Sequence, residues 1–203
     1  MRYLPNALTI GRILLTPVVL FLLTVPTWWG QMSALILFVV ASISDYADGH
    51  LARAWNVKSR LGQFLDPLAD KILVLGLFGM FAFLEPSIVP WWAVALIALR
   101  DVGVTALRSY AEAQGRTLAT FRIAKSKTAA QMAFLLALLA VRVAQYSGPL
   151  ASDFAAYLIS SQILYGALLA VVALTIGTGL LYAFGAQEET IHPNPPRSSS
   201  VSQ

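Results

Sequence analysis

The sequence predicts an all-α fold, a single bundle of six membrane-spanning helices with both termini on the cytoplasmic side. Three observations carry this prediction. The chain of 203 residues is 58% hydrophobic and has a mean hydropathy of +0.70, well beyond an ordinary soluble domain. It holds six apolar stretches near the ~20 residues needed to cross a bilayer. Its Lys and Arg residues collect in alternate loops.

The first stretch covers 8–25. Arg2 followed by an apolar run imitates a cleaved leader, but Pro5, Arg12 and Pro17 interrupt the pattern and no small-residue cleavage site follows. A retained helix is expected. The second stretch covers 31–54, after a turn marked by Pro26 and Gly30. The third covers 63–84 and ends at Glu85, Pro86 and Pro90. The fourth covers 91–113, the fifth 128–146, and Gly148-Pro149 closes the turn after it. The sixth lies within 155–186, which is long enough to tilt or to project past the lipid. Trp28, Trp29, Trp91 and Trp92 flank the turns, where interfacial anchors belong.

Charge sets the orientation. Arg2, Arg12, Arg53, Lys58, Arg60, Arg116, Arg122, Lys125, Lys127 and Arg197 fall to one side, while the opposite turns carry only Glu85 and Asp153. The positive-inside rule makes the first side cytoplasmic. Arg142 breaks the pattern, and snorkelling to the far interface is its simplest account. Residues 1–186 form the membrane domain. Residues 187–203, with Pro193, Pro195, Pro196 and a Ser run, read as a disordered polar tail. The absence of Cys excludes disulfides and thiolate metal sites. A net charge of +4 suits an anionic lipid surface and does not call for nucleic acid.

Within this apolar chain sit four aspartates: Asp45, Asp48, Asp66 and Asp70. Each would cost ~2.5–3.5 kcal/mol at a bilayer centre, so each is a functional residue by default. Asp45 and Asp48 are three apart and share a helix face; Asp66 and Asp70 are four apart and do the same. The short link between Arg53 and Gly62 lets the two pairs converge near the cytoplasmic surface. Mutual repulsion between four carboxylates is best relieved by shared divalent cations, and two hard ions fit such a set. Gly49 and Ala52 leave space for a ligand beside the first pair, and Gly62 lies one turn before Asp66. Small-residue helix packing is the bland alternative. Arg53 is placed to grip a phosphate oxygen or to anchor the loop. A divalent-cation transporter would also use four aspartates, but the small residues and Arg53 argue against a cation path. His50 is given no role.

The run D-x-x-D-G-x-x-A-R-x8-G-x-x-x-D-x-x-x-D resembles the signature of the CDP-alcohol phosphatidyltransferases, with every fixed position present. The resemblance implies a six-helix membrane fold, usually dimeric, and two divalent ions, magnesium or manganese. It implies CDP-diacylglycerol as donor. By this likeness Asp45, Asp48 and Asp66 are metal ligands, and Asp70 is both metal ligand and general base. Gly49, Ala52, Arg53 and Gly62 are CDP-lipid positions.

The acceptor is read elsewhere. Arg100, Arg108, Lys125 and Lys127 put positive charge beside the aspartates, which suits an anionic alcohol. Ordinary positive-inside placement of the lysines is the alternative. Arg108 and Glu112 also form an i to i+4 pair. The stretches A-L-R-D-V-G-V-T-A-L-R-S-Y and K-S-K-T-A-A-Q-M resemble the bacterial branch of the family that uses sn-glycerol 3-phosphate. So does P-N-A-L-T-I-G-R. Asn6 and Thr9 either line the CDP-lipid side of the site from the first helix or cap that helix. Ala124 stands where related chains usually carry Gly. Inositol phosphate and phosphatidylglycerol stay open as acceptors. A bacterial cytoplasmic membrane is the expected location.

Overall fold

The computed structural model describes residues 4–55, 60–113 and 123–188, and the side chains of 11–44, 71–107 and 126–180. The described residues form seven helices and no strand. They are α1 (Leu4–Thr24), α2 (Trp28–Trp55), α3 (Arg60–Leu84), α4 (Trp91–Ala113), α5 (Ile123–Gln145), α6 (Pro149–Ser160) and α7 (Ile163–Glu188). Ser126–Gln145 and Ile163–Leu180 are each long and apolar enough to cross a membrane; the described parts of α1, α2 and α3 add shorter apolar stretches.

The first five helices match the sequence expectation closely. α5 starts at Ile123, five residues earlier than its apolar pattern suggests. Lys125 and Lys127 lower the local hydropathy without breaking the helix. The sixth stretch needs correction. It is two helices, with α6 beginning at Pro149 and α7 at Ile163. Gln162 takes a φ of 61°, outside the right-handed helical region. Ser160 and Ser161 donate their hydroxyls back to the carbonyls of Tyr157 and Leu158, which helps end α6 there.

The α1–α2 hairpin shows how the turns close. Thr27 caps α2, its hydroxyl accepting the backbone N–H of Gly30 at 3.2 Å. The buried Gln31 donates to the carbonyls of Leu23 and Val25, which end α1 without helical partners. A Cβ on Gly30 would lie 2.9 Å from Val25 Cβ, so glycine lets the two helix ends of this turn approach.

α1 packs on both α2 and α3, and α5 also packs on both. α4 joins α3, and α7 closes the group against α4 and α5. The core is built from Phe38, Leu77, Phe78, Phe81, Leu135, Leu138 and Leu139, with the Phe78 and Phe134 rings stacked at 6.0 Å. Beside this apolar core, the pattern of exposure departs from that of a water-soluble bundle in two ways. Gln31, Asp101, Lys127, Gln131, Thr175 and Thr178 are buried, while Phe21, Phe83, Leu99 and Leu150 face outward. Apolar surroundings account for both halves of that pattern.

Arg142 is explained by the fold. Its guanidinium meets Glu85, at the end of α3, at 3.1 Å and Gln145 at 3.1 Å. It also lies 5.6 Å from the Tyr146 ring centroid. The contact places the last turn of α5 beside the last turn of α3.

Candidate active site

The aspartates sit on continuous helical backbone. Asp45, Asp48, Gly49, Ala52 and Arg53 belong to α2; Gly62, Asp66 and Asp70 belong to α3. α2 has 28 residues, a length of ~42 Å at 1.5 Å per residue, so it outreaches a ~30 Å hydrocarbon core. Its final turns, with both aspartates, lie at the end opposite Trp28. Asn6 and Thr9 are in the first turns of α1, Arg108 in α4 and Lys125 in α5. The side chains of these twelve positions lie outside the described residues. Among the described residues no three His, Cys, Asp or Glu side chains gather as a metal site. The donor set that remains is four carboxylates, all hard oxygen ligands, and its chemistry fits magnesium or manganese.

Beside Asp70 the described side chains form a polar network through four helices. The Lys71 ammonium donates to the Thr105 hydroxyl. That hydroxyl donates in turn to the Asp101 backbone carbonyl at 2.8 Å. The Asp101 carboxylate, 6% exposed, pairs with Lys127 from α5 and with the neighbouring Arg100 Nη1 at 3.2 Å. Arg100 Nη2 reaches α7 and donates to the Thr178 hydroxyl at 3.0 Å. Thr178 donates to the Thr175 carbonyl, and Gln131 of α5 donates to the Thr175 hydroxyl at 3.3 Å. Lys71 and Thr105 each lie ~20 Å along their helices from Leu84 and Trp91, so the two groups meet at one depth. α3 and α4 thus run antiparallel, and Lys71 follows Asp70 directly.

Arg100 has no slack. A Cβ on Gly179 would lie 2.8 Å from Arg100 Cγ, so the guanidinium reaches Thr178 by passing over a glycine. Arg100 Nε is buried without a hydrogen-bond partner among the described residues.

Two of the four basic residues expected at the acceptor site, Arg100 and Lys127, are thereby brought together on one carboxylate. Sequence reasoning did not single out Asp101. The signal was present, because an acidic residue inside an apolar helix is a functional candidate by itself. Thr105, Thr175, Thr178 and Gln131 carry no comparable mark. Small polar residues in membrane helices are common, and only the packing shows which of them meet.

Comparison with known proteins accords with this geometry. Residues 2–176 match the family described as CDP-alcohol phosphatidyltransferase. The chain is 35% identical over 148 residues to the CDP-diacylglycerol–glycerol-3-phosphate 3-phosphatidyltransferase of Bacillus subtilis, covering 67% of this chain and 76% of the relative. It is 37% identical over 141 residues to the protein of the same description in Escherichia coli, with the same coverage of each. The match spans the aspartate-bearing helices and every member of the Asp101 network except Thr178: the chain belongs to the CDP-alcohol phosphatidyltransferase family.

Proposed function

We propose that this chain transfers the phosphatidyl group of CDP-diacylglycerol to sn-glycerol 3-phosphate, forming phosphatidylglycerophosphate and releasing CMP. One observation carries the choice of acceptor: relatives at 35–37% identity, covered over three quarters of their length, are named for that transfer. The buried cations Arg100 and Lys127 agree with an anionic acceptor.

The glycerol 1-hydroxyl oxygen attacks the phosphorus that bears diacylglycerol, and the bond from that phosphorus to the CMP oxygen breaks. Asp70 takes the hydroxyl proton, and CMP leaves with the bonding electron pair. Asp45, Asp48, Asp66 and Asp70 are the residues that would hold two divalent ions, magnesium or manganese. When bound, such ions neutralise charge on the pyrophosphate. Gly49 and Ala52 leave room for the nucleotide. Arg53 grips a phosphate oxygen, and Gly62, Asn6 and Thr9 line the CDP-lipid side. Arg100, Arg108, Lys125 and Lys127 orient the acceptor phosphate by charge. Six of the helices span the bacterial cytoplasmic membrane, with α6 as a short addition at the outer end. Both termini and the site face the cytoplasm, the polar tail takes no part in chemistry, and the working unit is a homodimer.

An acceptor panel tests this directly. Purified protein with magnesium and CDP-diacylglycerol is offered sn-glycerol 3-phosphate, inositol phosphate or phosphatidylglycerol, and products are identified by mass. Phosphatidylglycerophosphate and CMP are expected from the first alone. Product from either other alcohol reassigns the acceptor, and metal flux into liposomes without CMP release points to a transporter.

A further inference from the structure

Asp101 lies outside the aspartate motif in the sequence, within α4, and among the described residues it is the hub of the buried network. Its carboxylate holds Lys127, the α5 residue aimed at the acceptor phosphate in the function proposed above. Its backbone carbonyl holds Thr105, which holds Lys71, the residue after Asp70. One residue therefore links the helix that carries the proposed proton acceptor to the helix that carries the acceptor-binding ammonium. Arg100 adds a third tie, from the same carboxylate to Thr178 on α7.

From this geometry we infer that Asp101 is a positioning residue for the acceptor alcohol, working through Lys127. Lys127 sits on a long stem with several rotatable bonds, and an ammonium is a point charge without directional preference of its own. A buried carboxylate fixes where that charge stands. With Lys127 held and Lys71 tied to the same short segment of α4, the acceptor hydroxyl is delivered at a fixed distance from Asp70. Misplacement by ~1 Å at such a site costs about a hundredfold in rate. Helix cohesion alone does not need this device, since a buried ion pair can often be replaced by apolar packing at no loss of stability.

The inference rests on the proposed transfer to glycerol 3-phosphate, and kinetics separate the two. Full-length wild type, Asp101→Asn, Lys127→Ala and the double variant are assayed with magnesium, varying each substrate in turn. Asp101→Asn is expected to raise KM for glycerol 3-phosphate about tenfold while KM for CDP-diacylglycerol moves less than about twofold. The double variant is expected to match Lys127→Ala alone, because Asp101 acts through that lysine. Unchanged KM for glycerol 3-phosphate, an equal rise in both KM values, or additive losses in the double variant overturn the inference. Should Asp101→Asn fail to fold, Asp101→Glu, which keeps the charge but moves the carboxylate that holds Lys127, decides instead. A rise of about threefold in KM for glycerol 3-phosphate alone supports it, and no change rejects it. If the wild type forms no phosphatidylglycerophosphate at all, the proposed function fails and takes this inference with it. If the wild type is active and only the KM pattern is wrong, the function stands.

Discussion

Asp70 and its neighbour Lys71 mark where the proposed chemistry meets the described network. A carboxylate that accepts the alcohol's proton must be charged and within hydrogen-bond reach of the hydroxyl, and neutralising it removes the base without changing its size. Asp70→Asn is expected to abolish CMP release while circular dichroism and elution volume stay those of the wild type. Retained turnover removes Asp70 from the base role. The four motif aspartates were legible because their spacing puts each pair on one helix face. Asp101 was harder to read. Its partner Lys127 lies on another helix, 26 residues along the chain, so no local spacing joins them. Apart from the adjacent Arg100, nothing in the sequence around Asp101 shows that its charge is compensated.

The helices and their turns hold these residues at one depth. Gly30 lets the α1–α2 turn close, and Gly30→Leu is expected to cost about 1–3 kcal/mol by overpacking against Val25, seen as a lower melting temperature in detergent. Arg142 and Glu85 pin the ends of α5 and α3, both partly buried. A double-mutant cycle with Arg142→Ala and Glu85→Ala is expected to show coupling of about 0.5–3 kcal/mol, and additive losses contradict the pair's importance. Most element boundaries followed from turn residues, such as Pro86 with Pro90 and Gly148 with Pro149. The break at Gln162 did not. It falls in the short polar triplet Ser160-Ser161-Gln162 inside a long apolar stretch, and hydropathy records composition rather than one residue's φ. Arg142 likewise violated the charge pattern until Glu85 was found beside it.

At the scale of the molecule, an apolar core encloses a few buried polar groups, while further large apolar side chains face outward, as lipid surroundings allow. The orientation is open to a clean test because the chain has no native Cys. Ser87→Cys, in the turn before α4, is expected to react with an impermeant maleimide on intact cells; Ser198→Cys is expected to react only after lysis. The reverse pattern inverts the membrane orientation and moves the site away from cytoplasmic glycerol 3-phosphate. All-helical class and one-sided charge were readable from composition and loops alone. The packing of α1 and of α5 on both α2 and α3 was not, since which helices touch depends on side-chain packing over the whole bundle.

Convergence of Asp45, Asp48, Asp66 and Asp70 on shared cations underlies every catalytic role assigned above. Manganese titration of the purified protein, followed by electron paramagnetic resonance, measures it without reference to turnover. Wild type is expected to bind two ions per chain, and Asp66→Asn together with Asp70→Asn is expected to abolish that binding. Binding of no ion, or binding that survives loss of both carboxylates, contradicts the shared-metal site.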